Sequence, residues 1–224
     1  MKKSLYILLL ILSVSCQNTD PEKKAEETPG STQGAESAGE ELNTETHTLH
    51  ELASPIFKPD SGALSAAEFE VGEIASLDQV QGTPLDEKKI APFRHLLVYN
   101  RDSTLAADLF SYSYISVEKG GKTVLTPGEP DTEIALVDLK NKTRRRLLFT
   151  GPSFIVADAR WTENGKLIII GGEQLQKEIK PVAWKIDVRK NEMESLNYPD
   201  TLSMDLASYV EQKINGVPRS GQRF

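Results

Sequence analysis

Apolar and polar positions alternate in short runs along most of this chain. "EFEV" (68–71), "HLLVYN" (95–100), "FSYSYISV" (110–117), "EIALVDL" (133–139), "RRLLF" (145–149), "KLIIIGG" (166–172) and "VAWKIDV" (182–188) each suit a strand. Gly, Asn and Pro separate them. The pattern predicts an all-β fold: antiparallel sheets with blade-like hairpins, arranged as a sandwich or a partial propeller. In a strand over 110–117, Phe110, Tyr112 and Tyr114 share one face, while Ser111, Ser113, Ile115 and Val117 share the other. The end of the chain has a different period. Leu202, Leu206, Tyr209, Val210 and Ile214 recur at helical spacing, predicting one amphipathic C-terminal helix capped by Asp200 or Thr201. "NGVP" (215–218) supplies its exit, and "RSGQRF" reads as a loose tail.

The start is different again. Lys2 and Lys3 precede an unbroken apolar run, Leu5 to Leu12, followed by Ser13 and Ser15. Positive start, apolar middle and small-residue exit predict a signal peptide over 1–15. The run is too short for a spanning helix, which needs about 20 apolar residues. Residues 17–46 contain no aromatic residue and one large aliphatic, Leu42. They also hold eight acids against two lysines, nearly all of the chain's net charge of −7. Such a stretch buries too little apolar surface to offset its ordering entropy. It predicts a disordered acidic tether, leaving 47–224 as a single β-rich globular domain. The acidic balance argues against a nucleic-acid partner.

Cys16 is the one cysteine in 224 residues, so neither an intrachain disulfide nor a cysteine zinc cluster can form. "LSVSC" (12–16) resembles the lipobox of bacterial lipoprotein precursors, with Val14 and Ser15 before the cysteine and Ser13 where that motif usually has Leu. The resemblance implies cleavage before Cys16, a diacylglyceryl group on its sulfur and an acyl chain on its new amino terminus. One acyl chain anchors only marginally, whereas two or three hold a protein to a membrane. The acids after Cys16 are similar to the surface-export signal of Bacteroidetes lipoproteins. Gln17, rather than Asp, beside the cysteine is unlike inner-membrane retention. The implied location is the cell envelope, at the outer membrane, on its periplasmic or surface face.

An internal echo runs through the second half. Shifting the chain by 49 residues lays Val137-Asp138-Leu139 on Ile186-Asp187-Val188, Leu147 on Leu196 and Phe149 on Tyr198. Between the two units lies "DARWTENGKLIIIGG" (158–172). Trp161, Gly165, Lys166 and Leu167 resemble the blade pattern of TolB-type and WD40-like β-propellers over 133–198, a resemblance that implies that the rings of Trp161 and Trp184 lie in the sheet interior. A closed ring needs at least about four blades, and this chain is too short for it. "GEPDTEIALVDLKNKTRRRLLFTGP" is similar to uncharacterised Bacteroidetes lipoproteins, a likeness that carries no activity.

Candidate chemistry is sparse. His47 and His50 stand at i, i+3, but zinc takes three or four ligands and His95 is far away; no metal site is expected. Glu129, Asp131 and Glu133 cluster in "GEPDTE", a spacing that fits a solvated hairpin better than a calcium loop. "GPSFI" (151–155) lacks the last Gly of a nucleophile elbow. "KGGK" (119–122) lacks the spacing of a phosphate loop, and no cofactor is expected. Arg144 and Arg146 would share one strand face, with Arg145 on the other. They suit anionic lipid heads, an acidic partner, or a charged hairpin edge that blocks edge pairing. The expected function is a lipid-anchored, non-catalytic envelope lipoprotein binding a partner protein or envelope polymer near the membrane. Its candidate contacts are Arg144, Arg145, Arg146, Phe110, Tyr112 and Tyr114. Two alternatives stand beside it: a carbohydrate-binding lipoprotein of a glycan-uptake system, and a hydrolase with paired acids across a cleft.

Overall fold

The computed structural model describes residues 33–57, 64–77, 81–163 and 165–216. The expected signal peptide, Cys16, residues 17–32 of the tether and the "RSGQRF" tail lie outside them. Among the described residues no helix is long and apolar enough to cross a membrane.

The fold is all-β in its main body and sandwich-like, without a closed barrel. Sheet A contains β1 (Glu70–Ser76), β9 (Phe154–Trp161), β10 (Leu167–Leu175), β11 (Glu178–Asp187) and β12 (Glu192–Asn197), in the order β1-β12-β11-β10-β9. Sheet B contains β2 (Thr83–Pro84), β3 (Val98–Tyr99), β4 (Leu105–Asp108), β7 (Thr132–Asp138) and β8 (Thr143–Thr150), in the order β2-β8-β7-β4-β3. A separate hairpin, β5 (Tyr114–Lys119) with β6 (Lys122–Pro127), is inserted between β4 and β7. The sheets meet where β9 runs beside β3 and β7. There Trp161 Nε1 donates to Val98 O at 2.8 Å and Thr132 Oγ1 to Phe154 O at 3.1 Å.

Both sheets follow one plan: an antiparallel four-strand meander with one earlier strand added at its outer edge. The hairpins 49 residues apart are equivalent, with Asp138 opposite Thr143 and Asp187 opposite Glu192. Their turns carry positive φ at Lys142 (53°) and Asn191 (55°). Each turn is braced by its aspartate, Asp138 accepting from Asn141 N and Asp187 from Arg189 N and Lys190 N. The residue after each added strand donates to the turn: Leu85 N to Lys142 O at 2.8 Å, and Leu77 N to Asn191 O at 2.6 Å. The preceding hairpins match too, with positive φ at Ser103 and Gly165.

β10 is buried continuously from Leu167 to Ile170, so both of its faces are covered. α1 (Gln33–Ile56) lies on β9 and β10 and buries Leu49, Leu52, Ala53 and Ile56. α3 (Leu206–Asn215) lies against β9 and β6 through Leu206, Val210 and Ile214. Gly171 lets β10 approach β9 closely: a Cβ there would stand 2.3 Å from Ile155 O. Gly171→Ala forces backbone to move, and overpacking of this kind costs about 1–3 kcal/mol. The urea midpoint of this variant is expected to fall; an unchanged midpoint would show that β9 gives way freely.

Several expectations are corrected. Residues 33–46, expected in the tether, are helical within α1, and Glu45 is buried against Lys166 and Lys185. "EFEV" is strand only from Glu70, because Ser65 and Glu68 form a capping box on a 3₁₀ turn, Ala66–Glu68. "HLLVYN" is strand only at Val98–Tyr99, since a 3₁₀ helix with Pro near its start occupies Ala91–Leu96. "FSYSYISV" is strand only from Tyr114; Phe110 to Ser113 form a turn. The C-terminal helix starts after Asp205, whose carboxylate accepts from Ser208 N at 3.0 Å, and Leu202 instead bridges to Ile179.

Candidate functional site

The outer face of sheet B carries a ladder of alternating charge. Asp108 ends β4 and is 1% exposed; Glu133 on β7 is 4% exposed. Arg144 on β8 lies between them, donating Nε and Nη2 to Asp108 Oδ2 at 3.2 and 3.0 Å and Nη1 to Glu133. Arg146 donates Nε to the other Glu133 oxygen at 2.6 Å. Asp108 also accepts from the backbone N–H groups of Phe110 and Ser111 and from the Ser111 hydroxyl. The turn after β4 is thus tied into the ladder.

Burial pushes the Glu133 carboxyl up, but the hydrogen bonds and charges of Arg144 and Arg146 outweigh it and hold the group below its ordinary value of 4.5. A depressed folded-state value contributes stability that is fully present above the unfolded value and is lost as pH falls through the folded one. The thermal midpoint is therefore expected to fall as pH drops below about 4.5. Glu133→Gln should flatten that acid limb; an unaltered limb would assign the acid sensitivity elsewhere.

Aromatic rings flank the ladder. The Arg146 guanidinium sits 4.6 Å from the centre of the Phe149 ring, and Phe149 is 43% exposed. Tyr112 meets Phe149 edge-on at 5.8 Å. Lys89 Nζ lies 5.8 Å over Tyr112. It is carried by the short helix α2 (Glu87–Ile90), whose Asp86 cap accepts from Lys88 N and Lys89 N. The result is an aromatic rim with two cations beside it, one of which, Arg146, is held by the buried Glu133 carboxylate. Comparison with family models, curated proteins and solved structures returned no match.

The structure brings three of the expected contact residues together here: Arg144, Arg146 and Tyr112. Arg145 points to the other face and donates to Asn191 Oδ1 at 2.6 Å. Phe110 is buried and meets Tyr114 edge-on at 6.1 Å. Both border an apolar recess of about 200 Å³ with Pro127, Phe154 and Val210. Burial, then the Glu211 charge, pushes the Tyr114 hydroxyl up. Phe110, Tyr112 and Tyr114 therefore form no common row, because the turn at 110–113 breaks the period of two.

Asp108, Phe149 and Lys89 join the site without having been singled out by the sequence. Phe149 reaches it through a bulge. Ala135 pairs with Arg146 and Ile134 with Leu148, so Leu147 is the extra residue and Phe149 falls on the face of Arg146. His47 lies 3.8 Å from Glu51, His50 faces Leu64 O at 3.2 Å, and His95 sits in the 91–96 turn. Among the described residues no group of His, Cys, Asp and Glu could hold a metal.

Proposed function

We propose that this chain is a lipid-anchored, non-catalytic envelope protein, held at the outer membrane through Cys16, that docks an acidic segment of a partner protein on the outer face of sheet B. The observation that carries the reading is the rim itself: Phe149, Tyr112, Arg146 and Lys89 adjoin one another on an immobilised ladder. Aromatic residues and arginine dominate binding energy at protein interfaces, and nearby cations favour an acidic partner. The two most deeply buried carboxylates of this face are both bound by Arg144, which supports binding over acid–base chemistry.

A photo-crosslinking residue at Tyr112 in intact cells is expected to capture one envelope protein, and Lys89→Glu with Arg146→Glu should abolish the capture. Capture that survives both charge reversals sinks the docking reading; capture of polysaccharide alone would replace the protein partner with an envelope polymer. Anchoring has its own test. Cys16→Ala is expected to remove fatty-acid labelling and stop precursor processing, and normal labelling in that variant would reject the anchor.

A further inference from the structure

A second recess lies on sheet A, away from the docking face. It occupies the angle between α1 and the β9–β10 turn and has a volume of about 410 Å³, within the range of small-molecule sites. Its lining combines one aromatic ring with short polar groups. Trp161, expected in the sheet interior, is only partly buried and borders the recess. Its Nε1 is already committed to Val98 O at 2.8 Å, which fixes the ring and leaves its carbon surface as what it offers a ligand. Around it stand Asn43, His47 and Glu51 from α1, and Arg160 and Glu163 from the β9 end.

The charges of this lining argue against an anion. The Arg160 guanidinium is turned onto Glu51, which His47 also faces, and Glu163 adds a further carboxylate. What remains is a dense mixture of donors and acceptors. Arg160 has N–H groups beyond the one on Glu51, the carboxylates are pure acceptors, and the asparagine amide supplies both. A neutral ligand that is rich in hydroxyls and apolar on one ring face uses the whole of this set, the ring as well as the donors and acceptors. A pyranose has that chemistry: its C–H face packs on an aromatic ring while its edge hydroxyls bond short polar side chains.

We infer that the recess between α1 and β9 is a binding site for a neutral saccharide unit, with Trp161 as the platform and Asn43, His47, Glu51 and Arg160 as the hydroxyl-binding groups. The site goes beyond the docking proposal and does not depend on it, because it lies on the other sheet and shares no residue with it. It also has a built-in reporter. The chain has two tryptophans, and Trp184 is 4% exposed, so ligand shielding is read mainly at Trp161.

The test titrates the full-length protein with neutral oligosaccharides of the malto, cello and chito series, by calorimetry and by protection of tryptophan fluorescence from acrylamide. At least one series is expected to bind and to protect the fluorescence. His47→Ala and Arg160→Ala should each weaken that binding about tenfold with an unchanged melting midpoint, and Trp161→Phe should retain part of it. Arg146→Glu, on the docking face, should leave it intact, so the two proposals fail separately. No binding by any series overturns the inference, and so does binding that His47→Ala and Arg160→Ala leave undiminished.

Discussion

Arg144→Met is expected to unfold the protein more readily than any other single change on its surface face. Removing one partner from a buried ion pair costs about 3–5 kcal/mol. Here the guanidinium serves two carboxylates, Asp108 and Glu133, that are almost fully out of water. Glu133 would keep Arg146, whereas Asp108 would keep only the hydrogen bonds from its own turn. A domain of ordinary stability, about 5–15 kcal/mol, would lose a large share of its margin. The combination Arg144→Met, Asp108→Asn and Glu133→Gln should recover part of the loss, since neutralising a whole buried network costs less than breaking it. Chemical denaturation of the single and triple variants measures both effects. A single variant as stable as the parent would mean that the ladder is solvated in solution.

Trp184→Ala should cost a comparable amount by a different route. The indole is 4% exposed on β11, lies opposite Ile169 on β10 and Ser195 on β12, and tilts against Phe154 at 6.2 Å. Truncating such a ring removes about 3–5 kcal/mol through lost burial and the cavity left behind. The melting midpoint is expected to drop steeply, with no change in saccharide or partner binding in the fraction that stays folded. A midpoint within a degree or two of the parent (a shift worth well under about 1 kcal/mol) would place the ring outside the core.

The central strands were readable because burial on both faces writes a continuous apolar run. "KLIIIGG" and "VAWKIDV" became β10 and β11 for that reason, and the 49-residue echo marked the two equivalent hairpins. The first half of the sheet B repeat was the harder part to see. In sheet B its strands are only Val98–Tyr99 and Leu105–Asp108, too short to show a period. α1 was concealed by its own chemistry: its buried side includes Glu45 and Thr48, and Glu45 is tolerated there only because Lys166 and Lys185 arrive from distant strands. The candidate site divides in the same way. The arginines and Tyr112 were visible as residue types, while their company depends on the bulge at Leu147 and on pairings across β4, β7 and β8 that local spacing does not encode.

The strand added to each sheet imposes an order on assembly. Sheet B is complete once Thr150 has been made, whereas β1 must wait for β12, its partner across Glu70 and Asn197. α1 waits likewise for β9 and β10. A chain emerging amino-terminus first, from the ribosome or from a translocation pore, therefore presents its earliest folded elements before their seats exist. Contacts so distant in sequence form slowly. Leu49, Leu52, Ile56 and Phe57, all buried in the finished molecule, stay open to water until β9 and β10 have been made, which makes 49–57 an apolar stretch that an escorting chaperone would meet.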